Sequence, residues 1–324
     1  IYTVTPTSGD SGNCVGSTFT ITVLVNPKPS VLGTTPTICS GIAFTVTPTN
    51  GSGNIVPTGT TYTWTTPISN PVGAITGGIA QVTGLATISQ TLTNTTTAPA
   101  TLEYTVIPTS GACAGTPFTI TVTVNPTPTT LGLTNQTYCN GIPTTQIVLT
   151  NGVSGTTYAW TNSNTAIGLA ASGTGNIPVF TPTNSGTSPI SATISVIATA
   201  NGCSRAAETY TITVNPSPAV SFSPAIQNIC SGDTSALVAL TSTTSGATFS
   251  WTAVQPAGIT GVITSGTNTI PVQTLVNNTN APITITYAAL ATTSGASACA
   301  GITYNYTITV KPRPAIENQT FVIC

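Results

Sequence analysis

One phrase of alternating residues recurs four times along the chain and ends each time in Pro-x-Pro. The copies read FTITVLVNPKP at 19–29, FTITVTVNPTP at 118–128, YTITVNPSP at 210–218 and YTITVKPRP at 306–314. The first proline of each Pro-x-Pro is Pro27, Pro126, Pro216 or Pro312, in steps of 99, 90 and 96 residues. Regular steps of this length predict a tandem array of similar domains, each large enough to bury its own core.

The recurring phrase has the two-residue period of a half-buried β-strand. Phe118, Ile120, Val122 and Val124 share one face, and threonines occupy the other. Short segments of this kind recur about seven times per repeat, with Gly, Ser and Asn turns between them. The predicted fold class is therefore all-β, a tandem array of Ig-like antiparallel β-sandwich domains. Because Pro-x-Pro joints are extended and stiff, the array is predicted to form a rod.

The domain boundaries follow from the positions of the repeated phrase. We predict a C-terminal remnant of a repeat at 1–29, whole repeats at 30–128, 129–218 and 219–314, and the N-terminal start of a further repeat at 315–324. The opening residues resemble the late part of a repeat, and the closing residues resemble an early part. We therefore expect the sequence to start and stop inside a longer array.

Eight cysteines follow the same step, two to a repeat. The early cysteines, near the start of a repeat, are Cys39, Cys139, Cys230 and Cys324, and the late cysteines, just before the last strand, are Cys14, Cys113, Cys203 and Cys299. Pairing within a repeat would give Cys39–Cys113, Cys139–Cys203 and Cys230–Cys299, and would leave Cys14 and Cys324 unpaired. Pairing each late cysteine with the next early one would give bonds such as Cys113–Cys139.

Geometry favours the pairs within a repeat, if both cysteines lie at the N-terminal end of their domain. The alternative partners are separated by an extended strand of about ten residues, roughly 33 Å long. A disulfide requires Cα atoms less than about 7 Å apart. Disulfides also indicate an oxidising compartment, so we expect the protein to be extracellular.

The charge composition excludes several classes of function. The 324 residues include four Lys or Arg, five Asp or Glu and no His. Such a chain offers no basic surface for nucleic acid, no histidine triad and no clustered metal ligands. We predict no catalytic, cofactor-binding or metal-binding residues and no enzymatic activity. No apolar run approaches the ~18 residues of a membrane span.

Aromatic and asparagine residues give the remaining candidates. Trp64, Trp160 and Trp251 hold the same mid-strand place in each repeat, so we predict core tryptophans rather than sugar-stacking platforms. Tyr138 and Tyr304 are the candidates for surface contacts. Six Asn-x-Ser/Thr sequences are expected by chance in so threonine-rich a chain. They lie at Asn50, Asn94, Asn135, Asn277, Asn305 and Asn318.

Several phrases carry a resemblance to a known family. The YTW and YAW strands, the late strand EYTVIPTSGACAG, the exit TITVNPxP and the ICSG or YCNG openings resemble PKD-like, immunoglobulin-like repeats. Such repeats occur in very large secreted surface proteins of Bacteroidota, including gliding-motility adhesins. The resemblance implies export, by type IX secretion, and display at the cell surface.

These observations predict a mechanical rather than a chemical role. We expect a structural stalk segment of a large extracellular repeat adhesin or surface filament, with each domain held by a disulfide. The alternative is a carbohydrate- or surface-binding module whose repeats make the contacts themselves. The expected partners are neighbouring repeats, lateral copies in a filament, and a glycan or an abiotic surface.

Overall fold

The computed structural model describes residues 1–9, 11–294, 298–314 and 320. Contacts between Cα atoms divide the chain into two compact units. The first comprises Ile1–Thr129, Asn151–Thr157 and Ala198–Arg205, and the second Thr130–Thr150, Tyr158–Ile197 and Ala206–Cys324. Across the described residues the only helical element is a 3₁₀ turn at Thr165–Ile167.

Twelve strands lie in the first 129 residues. They are β1 (Tyr2–Val4), β2 (Phe19–Ile21), β3 (Thr37–Cys39), β4 (Ile42–Val46), β5 (Thr61–Trp64), β6 (Ile68–Asn70), β7 (Ile75–Thr76), β8 (Gln81–Leu85), β9 (Ile88–Asn94), β10 (Ala100–Ser110), β11 (Cys113–Ala114) and β12 (Phe118–Asn125). The larger sheet has the order β3-β12-β10-β5-β8, with β6 and β11 also paired to β10. A second sheet, β4-β9-β7, packs on it through contacts such as Phe44 on Tyr104, whose ring centroids lie 5.2 Å apart.

Six strands lie between residues 136 and 215. They are β13 (Gln136–Cys139), β14 (Thr157–Asn162), β15 (Ser172–Thr174), β16 (Ile190–Ala200), β17 (Cys203–Ser204) and β18 (Glu208–Asn215). Their sheet has the order β13-β18-β16-β14-β15, with β17 paired to β16. The β16–β17 hairpin, within Ala198–Arg205, belongs to the first compact unit.

The remaining strands form three further sheets in the second unit. They are β19 (Ser221–Ser223), β20 (Gln227–Cys230), β21 (Val238–Thr241), β22 (Ala247–Ala253), β23 (Ile259–Thr260), β24 (Ser265–Thr267), β25 (Thr269–Ile270), β26 (Val276–Asn277), β27 (Ile283–Thr293) and β28 (Tyr304–Lys311). The largest sheet has the order β20-β28-β27-β22-β24, and the others are β19-β21-β25 and β23-β26. Residues of all three sheets share one apolar core.

The recurring phrase forms the last strand of each repeat, at β12, β18 and β28. Its apolar residues alternate inward as the sequence predicts: Ile120, Val122 and Val124 are all fully buried, and the threonines between them are not. Burying such a face contributes roughly 1.5–3 kcal/mol per large side chain. The predicted all-β, tandem Ig-like sandwich fold is confirmed. The predicted domain boundaries stay a prediction, and the segment 315–324 lies almost wholly outside the described residues.

Each larger sheet also contains one parallel pair, which the alternation of residues does not predict. The strand that carries the early cysteine runs parallel to the last strand of its own repeat: β3 beside β12, β13 beside β18 and β20 beside β28. The cysteines end these pairs, with Cys39 opposite Asn125 and Cys139 opposite Asn215. The early cysteine therefore lies at the C-terminal end of its repeat, beside the Pro-x-Pro exit.

Candidate functional site

The cysteines are bonded in a staggered pattern that joins successive repeats. Cys39 is bonded to Cys203 and Cys139 to Cys299, with a Cα–Cα distance of 5.5 Å in each pair. Each bond links the early cysteine of one predicted repeat to the late cysteine of the next. The predicted pairs Cys39–Cys113, Cys139–Cys203 and Cys230–Cys299 are therefore wrong. The alternative that included Cys113–Cys139 is wrong as well.

The error has a physical cause in the parallel strand pair. The prediction placed the early cysteine at the N-terminal end of its repeat, because it follows the preceding Pro-x-Pro. The segment from Leu131 to Cys139 instead follows β18. The Leu131 N–H donates to the Glu208 carboxylate at the start of β18, and Cys139 lies opposite Asn215 at its end. The first complete repeat shows the consequence within one compact unit. Cys113 stays at the N-terminal end of this repeat, about one strand length from Cys39 at the C-terminal end, so the two cannot bond.

A tight hairpin positions the late cysteine Cys203. Strands β16 and β17 pair with Ala200 opposite Cys203, and the two residues between them, Asn201 and Gly202, have φ of 50° and 79°. Asn-Gly is the sequence that favours such two-residue turns, because both positions require positive φ. The turn is held from the preceding repeat, where Asn125 Nδ2 donates a hydrogen bond of 2.9 Å to the carbonyl of Asn201. Cys203 is only 1% exposed.

The late cysteine Cys299 is held by a different local arrangement in the second unit. Its N–H donates to Thr293 Oγ1 at 2.8 Å, and the Thr293 N–H donates to its carbonyl at 2.9 Å. Thr293 ends the long strand β27, so the pair of bonds sets the position of Cys299 relative to the sheet. Like Cys203, Cys299 is fully buried.

Three described cysteines form no disulfide. Cys14 and Cys230 are exposed, and Cys113 is partly buried. Cys14 was predicted to be unpaired, whereas Cys113 and Cys230 were predicted to be bonded within their own repeats. Cys324, the other cysteine predicted to be unpaired, lies outside the described residues.

The three tryptophans lie inside the apolar cores. Trp64 and Trp160 are 3% exposed and Trp251 is 2% exposed. The indole N–H of Trp64 donates to the carbonyl of Ile79 at 2.9 Å, and that of Trp251 to the carbonyl of Thr269 at 3.0 Å. Rings buried to this extent are unavailable as flat sugar-stacking platforms.

A glycine faces the indole ring in each of the last two repeats. Gly173 lies directly opposite Trp160, and Gly266 lies opposite Trp251 in the neighbouring strand. A Cβ atom at either glycine would overlap the ring. The glycine of the SGT sequence in β15 and β24 therefore leaves the space that the indole ring occupies.

The two candidate contact tyrosines are both partly buried. Tyr138 packs edge-on against Phe180 with ring centroids 6.0 Å apart, and burial raises its pKa. Tyr304 packs against the core of the last repeat and also lines an open cleft of about 420 Å³ beside the Cys139–Cys299 bond. The cleft includes two exposed apolar side chains, Ile142 and Ile302, and the polar Asn140. Of the two tyrosines, Tyr304 is the one that faces a candidate binding surface.

A buried asparagine in each repeat was not identified from the sequence as a structural residue. Asn94 Nδ2 donates to the carbonyls of Ala98 and Val124, both at 2.8 Å, and its Oδ1 accepts from the N–H and hydroxyl of Thr96. Asn184 and Asn277 make the corresponding bonds to their own loop and to the last strand. These side chains fasten a surface loop to the end of the sheet.

Two of these asparagines also lie in Asn-x-Ser/Thr sequences. Asn94 and Asn277 are 7% exposed, and the Nδ2 atom to which a glycan would be attached is fully engaged in hydrogen bonds. The folded domains therefore exclude N-glycosylation at both. Asn50, Asn135 and Asn305 are exposed, and Asn318 lies outside the described residues.

Charged side chains are few and scattered in the part of the chain that the structure describes. Among residues 1–9, 11–294, 298–314 and 320, no group of three or more His, Cys, Asp or Glu side chains could hold a metal ion. Arg313 pairs with Asp233 at 2.5 Å, and both side chains are about half exposed. Over the same residues, no helix is long and apolar enough to cross a membrane.

The fold and one family model together identify the protein family of this chain. The sheets and the repeat pattern are those of tandem Ig-like β-sandwich domains. The family model described as a PKD-like domain matches residues 1–29, 36–128 and 227–314, more than half of the chain. The chain therefore belongs to the PKD-like domain family.

Three solved structures show a distant likeness to the chain. Domains EC22–24 of mouse Cadherin-23 match with 14% identity and a TM-score of 0.32, covering 89% of this chain and 100% of that one. Protocadherin Gamma B2 domains 1–5 match with 15% identity and a TM-score of 0.26, covering 89% and 60%. The human Desmocollin-1 ectodomain matches with 13% identity and a TM-score of 0.26, covering 88% and 62%. No curated protein sequence matches the chain.

Proposed function

We propose that this chain is a structural stalk segment of a large extracellular repeat adhesin or surface filament, a disulfide-pinned spacer without catalysis. The observation that carries the proposal is the staggered pair of disulfides, because each bond ties one repeat to the next. A domain that only needed stabilising would be served equally well by a bond within itself. Covalent ties across the joints suit a stalk whose joints must not open.

The extracellular and cell-surface placement belongs to the same proposal. Disulfides persist in oxidising compartments, and the chain belongs to the PKD-like domain family. The resemblance to repeats of large secreted surface proteins supports the same placement. The predicted repeats 30–128, 129–218 and 219–314 would follow one another as a rod. The resemblance to Bacteroidota gliding-motility adhesins adds type IX secretion as the proposed route of export.

The disulfides define which parts of the chain would carry tension. A force applied at the two ends passes from Cys39 to Cys203, back along the chain to Cys139, and across to Cys299. The segments 40–138 and 204–298 are bypassed by this route. Even with every repeat unfolded, the oxidised chain would therefore extend far less than the reduced chain.

Single-molecule force spectroscopy tests the proposal directly. The chain would be attached by its ends and stretched to full extension, first oxidised and then in a reducing agent. We expect a short final contour length when the chain is oxidised and a gain on reduction that matches release of the bypassed segments. Full extension of the oxidised chain would rule out the proposed role as a disulfide-pinned stalk.

The alternative function is a carbohydrate- or surface-binding module, and the Tyr304 cleft is the observation that favours it. An aromatic side chain, two exposed isoleucines and an asparagine amide suit a sugar ring, which has apolar faces and polar edges. The test is binding of the oxidised protein to a panel of polysaccharides, abiotic surfaces and cells, with Tyr304→Ala as the variant and Tyr2→Ala as the control. Saturable binding lost only in Tyr304→Ala would support this alternative.

A further inference from the structure

The Cys139–Cys299 bond joins the two walls of the Tyr304 cleft. The first wall is residues 140–142, which directly follow Cys139, and the second wall is residues 300–302 with Tyr304, which follow Cys299. Residues 217–218, at the joint between the two repeats, complete the lining. The cleft and its disulfide lie wholly within the second compact unit.

Each wall is hydrogen-bonded into its own repeat. In the first wall, the Gly141 N–H donates to the carbonyl of Pro182 at 2.8 Å. In the second wall, the Gly301 N–H donates to the carbonyl of Ala291 at 2.9 Å, and Tyr304 begins the last strand, β28. These bonds fix the shape of each wall but do not set the distance between the walls.

The joint between the repeats holds the first wall only weakly. Ser217 Oγ donates to the carbonyl of Asn140 at 3.3 Å, and Asn140 Nδ2 donates to Ser217 Oγ at 3.4 Å. Both distances are long for hydrogen bonds of these kinds. The second wall packs closely on the joint, since a Cβ at Gly301 would overlap the carbonyl of Pro218. The disulfide, with 5.5 Å between its Cα atoms, therefore does most to set the distance between the walls.

The other inter-repeat bond, Cys39–Cys203, has different residues beside it. Its late cysteine is followed, after two and five residues, by Arg205 and Glu208. Gly301 and Tyr304 hold these positions beside the Cys139–Cys299 bond. The two bonds therefore join successive repeats in the same way, but only the second has a tyrosine at this position.

We propose that the Cys139–Cys299 bond controls binding in the Tyr304 cleft, which holds a neutral sugar chain when the bond is oxidised and releases it when the bond is reduced. This inference rests on the alternative function proposed above. The residues that line the cleft include no charged side chain, so they suit a neutral sugar better than an anionic one. The oxidised bond holds the walls in place before the sugar arrives, which favours binding.

A dithiol reductant reaches the bond through Cys139. Cys139 is partly exposed, whereas Cys299 is fully buried. A thiolate of the reductant attacks the Cys139 sulfur, the S–S bond breaks, and Cys299 leaves as its thiolate. The second thiol of the reductant then displaces Cys139. The two cysteines gain two electrons and two protons, and the dithiol becomes a disulfide.

Binding to defined polysaccharides tests the inference in the whole chain. The probes are immobilised cellulose, chitin and dextran, which are neutral, and alginate, which is anionic. The first double variant is Cys139→Ser with Cys299→Ser. The matched control is Cys39→Ser with Cys203→Ser, which removes the other inter-repeat bond and leaves Cys139–Cys299 as its one described disulfide. Tyr304→Ala shows whether binding uses the cleft.

We expect the first double variant to bind a neutral probe about tenfold more weakly than the oxidised wild type, because the closed arrangement of the walls becomes a minor population. The matched control should bind like the wild type. A dithiol added to this control should give the same loss, and reoxidation should restore binding.

Hydrogen exchange separates loosening of the cleft from unfolding of the repeat. On reduction of the matched control, exchange should become faster in residues 140–142 and 300–304 and stay slow in the long strand β27, at Ile283–Thr293. Faster exchange throughout β27 would show unfolding and would overturn the inference.

The binding results distinguish failure of this inference from failure of the alternative function. Equal binding by the first double variant and the wild type would overturn control by the bond and leave the cleft as a binding site. The same loss in both double variants would also overturn control by this particular bond. Binding that Tyr304→Ala retains, or no binding of the oxidised wild type to any probe, would overturn the cleft and the inference together. Preferential binding to alginate would overturn the neutral ligand.

Discussion

Cys39 lies directly opposite Asn125 in a parallel strand pair, at the far end of its repeat from Cys113. This relationship makes a bond within the repeat impossible without refolding, because a whole strand length separates the two sulfur atoms. Peptide mapping without reduction should therefore recover Cys39 joined to Cys203 and Cys139 joined to Cys299. Recovery of Cys39 joined to Cys113 would contradict the described register.

Removing one of these bonds should weaken two repeats at once. Each bond closes a loop of 164 or 160 residues, so loop-closure entropy alone is worth up to about 5 kcal/mol. The double variant Cys39→Ser with Cys203→Ser should lower the midpoint of thermal unfolding by circular dichroism. Cys14→Ser is the matched control and should leave the midpoint unchanged, because Cys14 is exposed and unbonded.

The glycine opposite Trp251 should tolerate no side chain. Gly266→Ala places a methyl group into the space of the indole ring, so we expect a loss of about 1–3 kcal/mol in the free energy of unfolding. Urea unfolding followed by tryptophan fluorescence gives the value. Ser265→Ala changes the exposed neighbour in the same strand and should cost less than about 0.5 kcal/mol. Equal effects in the two variants would refute the contact.

The buried asparagines should be among the least replaceable polar residues of the chain. Asn277→Ala leaves the carbonyls of Ala281 and Val310 without their donor, so a loss of roughly 2–4 kcal/mol is expected. Asn305→Ala, on an exposed strand position, is the control and should be nearly neutral. Chemical denaturation of both variants gives the two free energies of unfolding. An unchanged free energy of unfolding in Asn277→Ala would show that the loop does not depend on this side chain.

Stability should fall in alkali. Burial raises the pKa of seven tyrosines above the ordinary value of 10.0: Tyr62, Tyr104, Tyr138, Tyr158, Tyr210, Tyr287 and Tyr306. Because the unfolded chain ionises first, the stabilisation is complete below pH 10 and is lost as the pH rises above it. Circular dichroism and tyrosinate absorbance, measured together, should change in one cooperative step. Complete ionisation with a native spectrum would contradict this account.

The sequence predicted the strands better than their pairing. Alternation in residues 118–125 determines which side chains of β12 are buried, because the two-residue period is a local property. The direction of β3 beside β12 is not local, and so the cysteine partners were predicted wrongly. The signal available was length: the residues from Pro128 to Cys139 suffice to run the length of β18.

The sequence shows the recurring position of the buried asparagines but not their burial. Asn94 and Asn277 are each followed two residues later by threonine, and Asn184 holds the same place before its long strand. The Asn-x-Thr pattern is that of a glycosylation sequence. Only the recurrence of an asparagine at the same place in each repeat indicates a structural role. Whether an amide is buried depends on the loop that closes over it, which the sequence does not specify.

The two disulfide loops overlap between Cys139 and Cys203, so every peptide bond from Cys39 to Cys299 is bridged by at least one of them. Arg205 is the only basic residue that is not followed by proline, since Lys28, Lys311 and Arg313 all precede one. A trypsin cut after Arg205 falls inside the Cys139–Cys299 loop, and the two fragments stay joined through sulfur. Hydrolysis of any single bond in this span leaves the molecule covalently continuous, a redundancy that separate bonds within each repeat would not give at the joints.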